Sequence, residues 1–163
     1  MTIVEALRQP MSLGRVRLDL YDDAIHRAGL YDACQEDAEI WQIYPINLFG
    51  EAFDESIAIF HNRTDWVHFT VMDREQNDRT VGMTNYIAPD PDMKKVEIGG
   101  TYIAPSVRGT GFNRIMKKLM IEHAFAAGFE TILWKVDVRN KRSQAAVLKL
   151  GAKFDHIVER DRV

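Results

Sequence analysis

The 163-residue sequence predicts an α/β domain built on a mixed sheet, and three observations carry that reading. Strand-like apolar runs separated by polar turns recur between Val16 and Ile103, interrupted by two helix-like stretches. From Lys95 onward, strand-like and helix-like periods alternate as β-α-β-α-β. The length and the 46% apolar content suit one domain with a real core rather than two, so residues 1–163 read as a single domain. No repeat, low-complexity tract or linker interrupts it.

Val16, Leu18 and Leu20 alternate with polar residues, which predicts a first strand. Asp22 or Asp23 then caps a helix running to about Cys34. A second helix fits residues 49–61, with Phe53, Ile57 and Phe60 on one face. Residues 66–72 and 80–87 read as strands joined by the polar turn 74–79. Residues 89–94 turn the chain into a long strand, Lys95–Ile103. Phe112, Ile115, Met116, Leu119 and Met120 form the stripe of a helix over Phe112–Ala127, which Gly128 ends. Residues 131–138 predict a strand, residues 140–150 a helix capped by Asn140 and stopped by Gly151, and residues 153–158 a last strand.

One cysteine, Cys34, excludes an internal disulfide framework and fits a reducing compartment. The first ten residues carry no secretory signal, and no run reaches the roughly 18 apolar residues of a membrane span. The expected setting is cytoplasmic, away from membranes. The five histidines are scattered with no His-x-x-x-His pair, so no metal site is expected.

The net charge of −3 hides an asymmetry. Residues 19–57 hold ten acids and one basic residue, Arg27; residues 101–160 hold eleven Lys or Arg against five acids. Two solvated faces account for this. An anion site in the C-terminal half and a cation-attracting arm in the N-terminal half account for it equally. Nucleic acid is not an expected partner, because the basic residues are few and lack interleaved aromatics.

The segment richest in chemistry is the strand Lys95–Ile103, Ala104-Pro105-Ser106-Val107, and then Arg108-Gly109-Thr110-Gly111-Phe112-Asn113. Two glycines permit a tight turn that gathers backbone N–H groups toward one point. The first N–H groups of the next helix lack internal acceptors, and its dipole adds positive charge. Such a corner suits a phosphate or pyrophosphate. Arg108, Arg114, Lys117 and Lys118 raise the local positive potential. No Gly-Lys-Ser/Thr follows at P-loop spacing, and the acid-tipped strand of a dinucleotide fold is absent. A plain strand-to-helix turn is the competing explanation.

On these residues the sequence resembles the GCN5-related N-acetyltransferase (GNAT) superfamily, and within it the ribosomal-protein N-acetyltransferase (RimJ/RimL)-like branch. Ile103-Ala104-Pro105 before Arg108-x-x-Gly111 matches the family's signature, with Asn113 in place of its final small residue. A second block, Asn140-Lys-Arg-Ser143 followed by Lys149-Leu-Gly-Ala152, resembles the family's Asn-x-x-Ser…Lys-x-Gly-Phe pattern.

The resemblance implies a mixed, mostly antiparallel central sheet flanked by helices, with a splayed strand pair forming an acetyl-CoA cleft. It implies an acetyl-CoA-dependent N-acetyltransferase acting on a primary amine, a protein N-terminus or small amine, without a metal. The backbone of Tyr102 and Ile103 would hold the pantetheine arm, and Arg108, Gly109, Thr110, Gly111, Phe112 and Asn113 the pyrophosphate. Asn140 would meet the pantetheine or simply cap its helix.

Glu97 matches the family's base position, and its other reading is a solvated strand acid. Ser143 would return a proton to the thiolate or sit as a first-turn serine; Tyr102 and Thr101 are rivals for that step. Strict alternation puts Glu97, Gly99 and Thr101 on one face, opposite Val96, Ile98 and Tyr102. Gly99-Gly100 suggests a bulge that opens the strand pair. Trp41, Tyr44, Phe49 and Phe53 are core or line the acceptor groove, where Glu51, Asp54 and Glu55 would attract a cationic amine. The family's usual final strand has no counterpart before Val163, and an open sheet edge there would favour a homodimer. A catalytically silent acyl-CoA sensor of the same fold is the alternative, and a CoA-independent nucleotide-binding domain a third reading.

Overall fold

The computed structural model describes residues 1–135, together with Lys141, Ala145 and Leu148, which are helical. Six strands form one sheet in sequence order: β1 (Met11–Leu13), β2 (Val16–Leu20), β3 (Trp66–Asp73), β4 (Arg79–Asp90), β5 (Lys95–Ile103) and β6 (Thr131–Leu133). Every neighbouring pair is antiparallel except β5 and β6, which run parallel. The helix α4 (Phe112–Ala127) makes the crossover between them.

The predicted strands and helices from residue 16 to 128 are all present, some with longer or shorter bounds. Asp22 caps α2 (Asp23–Cys34) by accepting from the N–H groups of Ala24 and Ile25. The second helix is divided: a 3₁₀ turn at Gly50–Ala52 leads into α3 (Phe53–His61), with Phe53, Ile57 and Phe60 buried. The β3–β4 turn is held by Asp73, fully buried, which accepts from Arg15, from Gln76 Nε2 and from the Glu75 N–H.

Two elements near the start escaped the sequence reading. The helix α1 (Ile3–Leu7) carries a capping box in which Thr2 and Glu5 satisfy each other's N–H groups. The strand β1 is only three residues long. The helix expected at 140–150, apart from the three residues named above, and the strand at 153–158 lie outside the described residues.

Helices cover both faces. On one, α4 and α1 pack together, and Tyr86 donates to the Met120 carbonyl at 2.6 Å. On the other, Tyr102 donates to the Ala33 carbonyl of α2 at 2.6 Å, and Phe60 of α3 meets Trp66 edge-on. Burial of these apolar faces is the main stabilising term.

Candidate functional site

Two local irregularities create the site, and both lie on β5. Opposite Thr84 the register with β4 slips, so that Asn85 faces Gly99 while Met83 faces Tyr102. Two residues, Gly100 and Thr101, therefore oppose one, and Gly100 takes the left-handed conformation that such a bulge requires, at φ +59°. The expected bulge is present, and it corrects the expected faces. Strict alternation fails at an extra residue: Tyr102, not Thr101, shares the α2/α3 face with Glu97 and Gly99, while the Thr101 side chain turns to α4.

The bulge is held from both sides. Asn85 Nδ2 donates to the carbonyls of Gly99 and Gly100, each at 3.1 Å. That fixes its amide, leaving Oδ1 to accept from His68 Nδ1 at 2.8 Å. Tyr44 donates to the Thr101 carbonyl at 2.7 Å. On the α4 face, Thr101 Oγ1 meets Thr84 Oγ1 at 2.8 Å and Lys117 Nζ at 2.9 Å.

The second irregularity is the end of the β5–β6 ladder. Pairing runs only from Lys95↔Thr131 to Glu97↔Leu133, although β5 continues to Ile103. Trp134 and Lys135 have already left the strand, which is shorter than the expected 131–138 over its described part. Past Glu97, β5 therefore has a strand partner on the β4 side alone among the described residues. The gap opens toward the bulge and is bordered by the backbone of Tyr102 and Ile103.

Below the gap the chain leaves β5 through the 3₁₀ turn Pro105–Val107 and enters the glycine corner. Gly109 and Gly111 have φ of +75° and +83°, and a Cβ at either would meet nothing within 4 Å. The space beside the backbone is open. Gly111 is the N-cap of α4 and offers no side-chain acceptor, so the helix's first N–H groups face outward. The Phe112 N–H alone has a weak partner, Thr110 Oγ1 at 3.4 Å. Asn113 Oδ1 is shielded from solvent with no hydrogen-bond partner among the described residues. Unmet donors, a helix dipole and room beside two glycines fit a diphosphate.

The Arg108 side chain is held within the protein. Its Nε donates to the Ile103 carbonyl at 2.8 Å, its Nη1 to Asp37 at 2.7 Å, and its guanidinium lies 5.8 Å from the Tyr102 ring centroid. It fastens the N-terminal arm to the glycine corner. Burial raises the Asp37 pKa, but hydrogen bonds from Arg108 and from the Ile40 N–H outweigh it and hold the carboxyl below its ordinary value.

Glu97 is buried beside the last paired residue of β6, with Oε1 3.9 Å from Lys135 Nζ. It is not a solvated strand acid. The Tyr102 hydroxyl, one rival proton donor, is tied to Ala33, and burial pushes its pKa up. The other rival, the Thr101 hydroxyl, is bound to Thr84 and Lys117. Asn140 and Ser143 lie outside the described residues.

On the acceptor side, Trp41 lies tilted against Tyr102 with centroids 4.8 Å apart and meets Tyr44 edge-on at 5.3 Å. Phe53 is buried and Phe49 exposed. Asp54 is paired to Arg27 at 2.6 Å. Glu39, Glu51 and Glu55 are exposed and form no ion pair among the described residues.

Sequence reasoning placed Lys117 among the phosphate-side charges, but the structure buries it under the strand gap. Its spacing held the signal: Lys117, Met120 and Ala124 stand at i, i+3 and i+7 on the core stripe. Tyr21 is also brought to His61 and His68 from far away in sequence, His61 stacking on Tyr21 at 3.9 Å. No group of metal-ligating residues occurs among the described residues, nor any helix long and apolar enough to cross a membrane.

The family model described as acetyltransferase (GNAT) domain matches residues 15–153. Among solved structures, a probable acetyltransferase (GNAT family) from Chromobacterium violaceum ATCC 12472 superposes with a TM-score of 0.82 at 23% identity, over 96% of this chain and 84% of that one. RimL, a ribosomal L7/L12 alpha-N-protein acetyltransferase in complex with coenzyme A, gives 0.77 at 15% identity, over 95% and 90%. The microcin C7 self-immunity acetyltransferase MccE, in complex with acetyl-CoA and AMP, gives 0.77 at 14%, over 93% and 86%. At such identities the likeness is one of fold. No curated protein sequence matches the chain significantly.

Proposed function

The chain belongs to the GNAT acetyltransferase family and is an acetyl-CoA-dependent N-acetyltransferase, and we propose that its acceptor is a primary amine: a protein N-terminus, as in the RimJ/RimL-like branch, or a small amine. One observation carries the assignment of the site: the gap between β5 and β6 ends on a helix start whose N–H groups face open space. No other break in the described sheet adjoins such a corner.

In this reading the N–H groups from Gly109 to Asn113 hold the diphosphate, with Arg108 bracing the loop from behind through Asp37. The freed backbone edge at Tyr102 and Ile103 takes the pantetheine arm, which Asn140 also meets. The amine arrives over the Trp41–Tyr44 wall, and exposed Glu39, Glu51 and Glu55 favour its cationic form on approach.

Its nitrogen, once neutral, attacks the thioester carbonyl carbon. The N–C bond forms, the C–S bond breaks, and CoA leaves as a thiolate. Glu97 accepts the amine proton, directly or through water, and Ser143 returns one to sulfur. The whole chain acts as one catalytic domain in the cytoplasm, without nucleic acid. Two such chains would form a homodimer by pairing through an open sheet edge.

Thiol release from acetyl-CoA, measured over a panel of small amines and N-terminal peptides, tests this. Release with at least one N-terminal peptide or amine is expected. Tight acetyl-CoA binding with no release across the panel would favour a silent acyl-CoA sensor instead.

A further inference from the structure

We propose that Lys117 belongs to the cofactor cleft, where its amine donates a hydrogen bond to an amide carbonyl of the pantetheine arm of acetyl-CoA. The inference rests on the functional reading above and adds a residue to it.

Lysine is among the side chains least often buried, because its charged form loses hydration. Lys117 is nevertheless only 6% exposed, on the stripe of α4 that packs against the sheet. Its Nζ donates to Thr101 Oγ1 at 2.9 Å and lies 5.2 Å from the centroid of the Trp134 ring. Thr101 stands on β5 four residues past the last pair of the β5–β6 ladder, and Trp134 one residue past it. The amine thus lies between β5 and the residue that follows β6, beyond the last pair of the ladder.

An ammonium has three donors and a neutral amine two. One is used by Thr101, and no further acceptor for Nζ occurs among the described residues. Thr101 Oγ1 is itself linked to Thr84, so the amine's position is set from the sheet. An unmet donor across an opening between strands calls for an acceptor carried by whatever fills that opening. The pantetheine arm brings two amide carbonyls. Burial also pushes the Lys117 pKa down to about 7, so near neutrality it can donate without a permanent charge beside a thioester.

The test uses two ligands on the full chain. CoA carries the arm, whereas adenosine 3′-phosphate 5′-diphosphate keeps the phosphates and lacks it. By calorimetry, Lys117→Met is expected to weaken CoA by about tenfold or more while leaving the nucleotide within about twofold of wild type. Equal losses for both ligands would place the effect at the diphosphate corner or in the fold, and unchanged CoA affinity would remove Lys117 from the cleft. Either result overturns the proposal.

If Lys117→Met does not fold, wild-type protein with 13Cε-labelled lysine answers the question. The lysine resonance that titrates near pH 7 should move on adding CoA and stay on adding the nucleotide. A resonance moved by both or by neither overturns the proposal. A wild-type protein that binds neither ligand would instead refute the cofactor reading on which this one rests.

Discussion

Replacing Gly100 by alanine tests the bulge that opens the cleft. At φ +59° an L-residue costs about 1–2 kcal/mol relative to glycine. The new Cβ would also stand 2.6 Å from Asn85 Nδ2, 3.1 Å from Trp66 Cζ3 and 3.3 Å from Phe60 Cζ. The two rings are buried and have little room to retreat, so the amide must yield. That amide holds the carbonyls of Gly99 and Gly100, and losing both bonds costs about 1 kcal/mol each. Against this, alanine stiffens the unfolded chain and returns about 0.4–1 kcal/mol. The net expectation is a loss of about 2–3.5 kcal/mol, read as a lowered midpoint in urea at an unchanged slope. Acetyl-CoA affinity should fall as well, because the strand edge beyond the bulge is displaced. A variant within about 0.5 kcal/mol of wild type and with full acetyl-CoA affinity would refute the account of the bulge as a held, ligand-facing device.

A Cβ at Gly111 would meet nothing within 4 Å, but φ +83° strains any L side chain there, so Gly111→Glu costs the free protein about 1–2 kcal/mol and puts a carboxylate where the diphosphate would sit. CoA affinity should drop by about a hundredfold or more in calorimetry, well beyond what Gly111→Ala, which carries the same backbone strain without the charge, would cost. Asp37→Ala releases Arg108 from the N-terminal arm and should cost about 1 kcal/mol in denaturant titration, since the pair is partly exposed. Because the folded pKa of Asp37 lies below its ordinary value, that stabilisation is present at neutral pH and is lost as pH falls through the folded value. His61 runs on a different window. Burial, and then the neighbouring His68, push its pKa down to about 4, so the unfolded chain binds a proton between pH 6.5 and 4 that the folded chain refuses. Stability should therefore decline over that interval by about 2 kcal/mol after allowance for partial exposure, and His61→Phe should flatten the fall in melting temperature.

Much of the architecture was legible because local chemistry and tertiary structure agree along most of the chain. Asp22 as a cap, the Phe53–Ile57–Phe60 face and Gly128 as a stop each act within a turn or two of themselves, and each appears in the fold as read. The glycine corner was legible for the same reason, since left-handed φ at Gly109 and Gly111 is a local demand. Thr2 and Glu5 carried an equally local capping signal that was passed over. Other features were hidden because they are set by partners far away in sequence. Nothing near Arg108 announces Asp37, 71 residues earlier, as the acid that would occupy its guanidinium.

The bulge shows how one local irregularity reassigns function. Gly99-Gly100 suggested the bulge, yet the faces of β5 were still counted by strict alternation. One extra residue reverses the count beyond it, moving Tyr102 onto the α2 side and Thr101 onto the α4 side. That reversal removes the Tyr102 hydroxyl from the list of proton donors and gives Lys117 its anchor. It also leaves Glu97, on the near side of the bulge, on the same face as the Trp41–Tyr44 wall over which an amine would arrive. A strand without the bulge would set Thr101 beside Glu97 and leave the buried lysine with no oxygen to hold it, so the cleft's chemistry depends on Gly100 as much as on any side chain within it.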